Sequence, residues 1–266
     1  MATQSQRRRP FFPESGECPL LFAHRGASSR ETENTLVAFQ RAMADGADGV
    51  ELDVQLCASG DVVVFHDDAL TRLAGRPERI DQLSLAALRE VRLLPGGEIP
   101  TLAEALEACG PAALVNIEIK HDGLFPGGCR ALASAVVEVV ARADAGQRVL
   151  VSSFSPGAIW LWRKLRPDVA CGLLFERPRP FHRPWPLRTD VLLPLLRPLA
   201  VHPERTLCTR DSVARWRGQG YCVNVWTVDD PHGIGAMADM GVCGIITNDP
   251  TSARAALALT RRSAGG

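Results

Sequence analysis

Eight short apolar runs, starting at Leu20, Val50, Leu114, Val149, Val169, Leu199, Cys222 and Gly244, recur along the chain with helix-patterned stretches between them. Strand and helix in steady alternation build a parallel sheet covered by helices, and eight such units close into a (β/α)8 TIM barrel of the α/β class. A chain of 266 residues suits one such barrel, which commonly runs to about 250 residues as a single unit. The expected organisation is a flexible basic tail over residues 1–18 and one barrel domain over residues 19–262. The irregular stretch over residues 70–97 reads as an excursion from the barrel.

The run Leu20-Leu-Phe-Ala-His-Arg-Gly26 is bounded by Pro19 and Gly26 and predicts one buried strand. It carries His24 and Arg25 at its carboxyl end, where barrel enzymes keep their chemistry. Helical spacing of Leu36, Phe39 and Met43, with Gly46 placed to terminate, predicts a helix over residues 33–45. Residues 50–56 alternate strictly, which puts Glu51, Asp53 and Gln55 on one face. A turn at residues 58–61 leads into an extra hairpin strand ending in His66 and Asp67. Thr101 and Glu104 form a capping-box pattern opening a helix that Gly110 closes. The next strand, residues 114–120, places Asn116, Glu118 and Lys120 on a common face.

Thirty Lys and Arg residues balance thirty Asp and Glu residues. No overall field therefore draws the protein to nucleic acid or an anionic membrane, and any phosphate preference must be local. The eight cysteines show neither a C-x-x-C pair nor a zinc-ligand spacing, which fits reduced, buried thiols in a cytoplasmic protein. Arg8-Arg9-Pro10 resembles the start of an export signal, but Pro13-Glu14-Ser15 follows where an apolar region would be needed. The richest apolar stretch, residues 191–201, is broken by Pro194, Arg197 and Pro198, so no integral membrane segment is expected.

Glu51 and Asp53 leave the same strand face with roughly 7 Å between their Cα atoms. Inside a barrel mouth, paired carboxylates raise one another's pKa unless a cation sits between them. Glu118 supplies a third carboxylate, and an all-oxygen set suits Mg2+ or Ca2+, whereas zinc would recruit His or Cys. A solvated acidic strand face is the plainer alternative, but barrel strands point their side chains into the barrel or under the helices. His24 and His66 can divide base and acid roles, each contributing about 10² to 10⁴ in rate. Three carboxylates and one divalent cation carry one net negative charge, so a phosphodiester monoanion needs the further cations Arg25 and Lys120. A phosphodiester is the substrate that uses every part.

In order and spacing, His24-Arg25-Gly26, Glu33-Asn34-Thr35, Glu51-x-Asp53, His66-Asp67, Ile99-Pro100-Thr101-Leu102 and Ile117-Glu118-Ile119-Lys120 resemble the glycerophosphodiester phosphodiesterase family. Val225-Trp226-Thr227-Val228 and Ile246-Thr247-Asn248-Asp249-Pro250 resemble its last two barrel strands, so the likeness spans about residues 20–255. It implies a barrel with a small insertion after the second strand, here about residues 55–98. It also implies metal-dependent hydrolysis of a small-molecule glycerophosphodiester to sn-glycerol 3-phosphate and an alcohol. At the matching positions, His24 and His66 become the acid/base pair, Glu51, Asp53 and Glu118 the metal ligands, and Arg25 and Lys120 the phosphate holders. Asn34 and Trp226 become substrate-site residues, Trp226 packing on the glycerol carbons. The nucleophile is either the glycerol 2-hydroxyl or a water. Thr32 departs from the family, which commonly has proline there.

Three other readings compete. A lysophospholipase D would need an apolar groove, for which Trp160, Trp162, Phe181 and Trp185 are candidate walls. A non-catalytic binding barrel would be favoured by a missing histidine or carboxylate, and none is missing. An amidohydrolase-type barrel would need an H-x-H pair where the chain has Ala23-His24-Arg25. The Pro- and Arg-rich stretch 177–188 follows the fifth barrel strand and is expected at the mouth, so neutralising Arg177, Arg179 and Arg183 together should raise KM.

Overall fold

The computed structural model describes residues 9–11, 13, 18–121, 126–177 and 189–264. Nine strands form one sheet: β1 (Leu20–His24), β2 (Gly49–Leu56), β3 (Val62–Val64), β4 (Leu114–Ile119), β5 (Val149–Ser153), β6 (Ala170–Phe175), β7 (Ala200–Pro203), β8 (Cys222–Val225) and β9 (Gly244–Thr247). Neighbours run parallel in the order β1-β9-β8-β7-β6-β5-β4-β2, and β1 also pairs with β2, which closes the ring. β3 hangs antiparallel on β2 as the expected hairpin strand. The fold is therefore a (β/α)8 barrel. Its register sets the site in advance: His24 lies opposite Glu51, and Asp53 opposite Glu118.

Among the described residues eight helices flank the barrel strands: α1 (Leu36–Ala44), α2 (Leu102–Ala108), α3 (Arg130–Arg142), α4 (Pro156–Leu165), α5 (Thr189–Leu196), α6 (Arg210–Gly218), α7 (Pro231–Asp239) and α8 (Pro250–Ala264). α1 starts three residues later than its apolar spacing predicts. Asn34 is left-handed at φ 58°, and the Thr35 hydroxyl caps the helix by accepting from the Ala38 amide. At α2 the capping box between Thr101 and Glu104 is complete.

Outward strand residues such as Leu21, Leu52, Val115 and Ile117 share one core with the helices. Inside the barrel, Phe22, Leu150, Ala200 and Cys222 cluster around Phe11, whose carbonyl accepts from the Cys222 thiol at 2.9 Å. Part of the expected tail thus fills the amino end of the barrel, with Phe11 only 2% exposed. The excursion has its own small core of Val63, Phe65, Leu70, Ile80, Leu88 and Ile99. Trp162 packs fully buried in the outer core and cannot wall a groove, while Phe181, Trp185 and residues 178–188 lie outside the described residues. Among the described residues no helix is long and apolar enough to cross a membrane.

Gly26 carries the turn after β1 at φ +83°, and a Cβ there would meet the Ala38 backbone carbon and Cβ at 2.7 Å. Gly26→Ala is expected to cost about 1–3 kcal/mol of stability, read as a lower unfolding midpoint in denaturant.

Candidate active site

The chain leaves β1 through two left-handed residues, Arg25 at φ 58° and Gly26 at φ 83°. This turn lets the Arg25 amide bond both the Glu51 carbonyl at 2.9 Å and its carboxylate at 3.2 Å. Backbone held in a sparsely populated region is characteristic of functional sites. Strand alternation then puts Glu51, Asp53 and Glu118 inside the barrel at 4%, 1% and 8% exposure. One carboxylate oxygen from each lies within 4.8 Å of the others.

These carboxylates are electrostatically unequal. Burial, with the charges of Asp53 and Glu118 beside it, pushes the Glu51 carboxyl well above its ordinary range. Burial also raises Glu118, even with the Lys120 ammonium 2.8 Å away. Asp53 would be raised by burial too, but Lys120 at 3.0 Å and Arg25 at 3.3 Å hold it well below the usual carboxylate range. Burial opposes the charge on Lys120, and Asp53 and Glu118 outweigh it, so the ammonium is retained more firmly than usual.

The two imidazoles have different supports. His24 Nδ1 lies 2.7 Å from Asn248 Oδ1, which also accepts from the Ser28 hydroxyl at 2.9 Å. The Asn248 amide is oriented by its own donation to Asp229 at 2.7 Å, so His24 donates through Nδ1 and keeps Nε2 free. That Nε2 lies 3.9 Å from Glu51. Burial chiefly, then the charge of Arg25, lowers the His24 pKa and favours its neutral form. His66 Nδ1 instead lies 2.6 Å from Asp67. Arg72 donates to Asp67 at 2.6 Å, and its hydrogen bond together with that of His66 overcomes burial to keep Asp67 below its ordinary pKa.

A cavity of about 1060 Å³ opens over this group, lined by His24, Arg25, Glu51, His66, Glu118 and Lys120 together with Phe154, Leu174 and Trp226. The Trp226 indole is pinned by donation to the His202 carbonyl at 2.7 Å and stands edge-on to Phe154 with 5.5 Å between ring centroids. Asn34 sits elsewhere: it is 1% exposed, and its amide donates to Asp53 at 2.8 Å, behind the carboxylates. Asn116 lines the cavity with both amide atoms unpaired by protein, a polar contact that strand alternation hints at but does not assign. Asn248, Glu33 and Arg72 also carry the site without having been given roles from sequence. Asn248 stands at the carboxyl end of the last strand, which was a usable signal; Arg72 lies in the irregular stretch, which offered none.

A model of the glycerophosphoryl diester phosphodiesterase family matches residues 24–252, which include every residue of this site. The chain belongs to the glycerophosphoryl diester phosphodiesterase family. It is 33% identical over 242 residues to a glycerophosphodiester phosphodiesterase of Caldanaerobacter subterraneus subsp. tengcongensis, covering 87% of this chain and 94% of that one. Among solved structures, it is similar to an Oleispira antarctica phosphodiesterase in complex with the product sn-glycerol-3-phosphate. That likeness has a TM-score of 0.80 at 26% identity and covers 91% of this chain and 97% of that one. A glycerophosphodiester phosphodiesterase from Thermotoga maritima matches with a TM-score of 0.73 at 29% identity, over 88% of this chain and 96% of that one. The chain is a phosphoric diester hydrolase of the glycerophosphodiester phosphodiesterase class.

Proposed function

We propose that this enzyme hydrolyses glycerophosphodiesters to sn-glycerol 3-phosphate and an alcohol in the cytoplasm. In this reading Glu51, Asp53 and Glu118 hold Mg2+ or Ca2+, and His24 and His66 form the acid/base pair. The observation that carries it is the group of three buried carboxylates, with oxygens within 4.8 Å of one another, in a cavity that both imidazoles line. The donor set fits the ion. It is all oxygen, as a hard cation requires, and the raised Glu51 carboxyl reflects buried negative charge that Arg25 and Lys120 do not fully offset. When bound, the cation stabilises negative charge building on the phosphoryl oxygens.

The chain's own groups do the rest. Three carboxylates, Arg25, Lys120 and a divalent cation sum to one formal positive charge, the complement of a phosphodiester monoanion. Arg25 and Lys120 contribute that charge while braced on Asp53. Both imidazoles are engaged at Nδ1, which leaves each Nε2 available for proton transfer. One takes the proton of the nucleophile, either the glycerol 2-hydroxyl or a water, and the other protonates the departing alkoxide. Trp226 packs on the glycerol carbons. Asn34 acts by holding Asp53 rather than by touching substrate. Eight free cysteines and a formal net charge of +0 support a reducing compartment and no nucleic-acid partner.

The test is product analysis on a panel of glycerophosphodiesters, with chelator and then with magnesium or calcium restored. The expected result is sn-glycerol 3-phosphate that disappears with chelator and returns with metal. Turnover of no member under any metal would overturn the reading.

A further inference from the structure

We propose that Arg72 is a positioning residue which, by clamping Asp67 and Glu33 together, fixes the orientation of the His66 ring. The inference rests on the reading of His66 as catalytic. Arg72 lies on the helical turn Thr71–Ala74 of the excursion, and every guanidinium nitrogen is engaged. Nε donates to Asp67 Oδ2 at 2.6 Å, while Nη1 and Nη2 grip the two oxygens of Glu33 at 2.8 and 2.7 Å. Beyond these carboxylates, Asp67 Oδ1 meets His66 Nδ1 at 2.6 Å, and Glu33 Oε1 accepts from Arg25 at 2.8 Å. Arg25 in turn lies 3.3 Å from Asp53. One continuous chain of charged groups thus runs from an imidazole, through the excursion, to the carboxylates.

The need for such a link follows from the fold. His66 lies past the end of β3, and the last backbone bond before it is from the Phe65 amide to the Asp53 carbonyl. Its ring orientation therefore depends on Asp67. Glu33 comes from a different segment, the loop that precedes α1, and the excursion packs around a core of its own. Among the described residues, Arg72 joins the two segments through its bonds to Asp67 and Glu33. A planar fork makes these three bonds at once, whereas a lysine ammonium cannot reproduce the paired grip on Glu33 together with the bond to Asp67.

The experiment is steady-state kinetics on glycerophosphocholine for Arg72→Ala, Arg72→Lys, Asp67→Asn, the Arg72→Ala/Asp67→Asn double variant and His66→Ala, each with its melting midpoint. For Arg72→Ala and Arg72→Lys, kcat should fall about 10- to 100-fold, the range seen when a partner that orients a functional side chain is lost. KM should stay within about twofold, since substrate contact is untouched. The Arg72 side chain is 46% exposed, so added guanidinium ion can reach the gap and should restore part of the Arg72→Ala rate but none of the Arg72→Lys rate. The double variant should fall no further than the worse single variant. Wild-type kcat in both Arg72 variants, alongside an inactive His66→Ala, would overturn the positioning role and leave the catalytic reading standing. Near-normal kcat in His66→Ala would overturn the catalytic reading and this inference with it. A loss in Arg72→Ala that guanidinium does not restore and that adds to Asp67→Asn would make the role merely structural. If Arg72→Ala does not fold, Arg72→Lys and the Asp67→Asn background decide the matter on the same criteria.

Discussion

His24→Ala and His66→Ala are each expected to lower kcat for glycerophosphodiesters by about 10²- to 10⁴-fold, the contribution of a positioned proton donor or acceptor. Neither ring belongs to the three-carboxylate group, so metal binding should survive in both variants and separate this loss from loss of the ion. KM should change little, because the deleted groups act on protons rather than on ground-state charge. The two supports differ in a way that the pH profile reads. His24 leans on a neutral amide, and burial lowers its pKa, so it stays neutral further into acid than an ordinary histidine. His66 leans instead on the Asp67 carboxylate, which orients its ring. Abolishing one limb of the pH–kcat profile with one variant and the other limb with its counterpart would assign base and acid. Near wild-type kcat in either variant would remove that histidine from the chemistry.

Most of the candidate site is legible in the sequence, and physical reasons separate that part from the rest. Glu51 and Asp53 follow from a period of two on one strand, as do Glu118 and Lys120 on another, and parallel register then carries Asp53 to Glu118. His24 follows from its place at a strand end, and Trp226 from the resemblance of Val225-Trp226-Thr227-Val228 to the family's late barrel strand. The place of Asn34 does not follow from periodicity. Its motif places the backbone at the rim, but a left-handed φ of 58° turns the residue toward Asp53, and no periodicity encodes that turn. The same backbone kink delays α1. Arg72 and Asn248 depend on contacts spanning 39 and 224 residues, made only once the excursion has packed and the barrel has closed. Phe11 belongs to the same class: a residue of an apparent basic tail becomes part of the barrel interior because the amino ends of the strands leave an apolar hole.

Glu51→Gln is expected to lower activity by about 10²-fold or more and, at neutral pH, to raise the melting temperature of the chelator-treated protein. The two effects share one cause. Burial and the neighbouring Asp53 and Glu118 raise the Glu51 pKa well above its value of 4.5 in an exposed chain. The folded protein therefore holds this proton more tightly than the unfolded chain does. As pH rises from about 4.5 through the raised folded pKa, the unfolded chain gives up its proton first and metal-free stability declines. Glutamine cannot ionise, and its carbonyl oxygen can still accept from the Arg25 amide that Glu51 now receives at 3.2 Å. Above that window the variant should gain on the order of 1 kcal/mol, a rise of roughly 2–4 °C; below pH about 4.5 the two proteins should melt alike. Added magnesium or calcium should reverse the order, because a ligand that binds only the folded state raises wild-type stability with concentration, and the variant has lost one of its three carboxylates. If metal-free Glu51→Gln melted below metal-free wild type at neutral pH, the buried charge would not be the strain that a cation relieves. The fit between this carboxylate group and a divalent ion would then lose its physical basis.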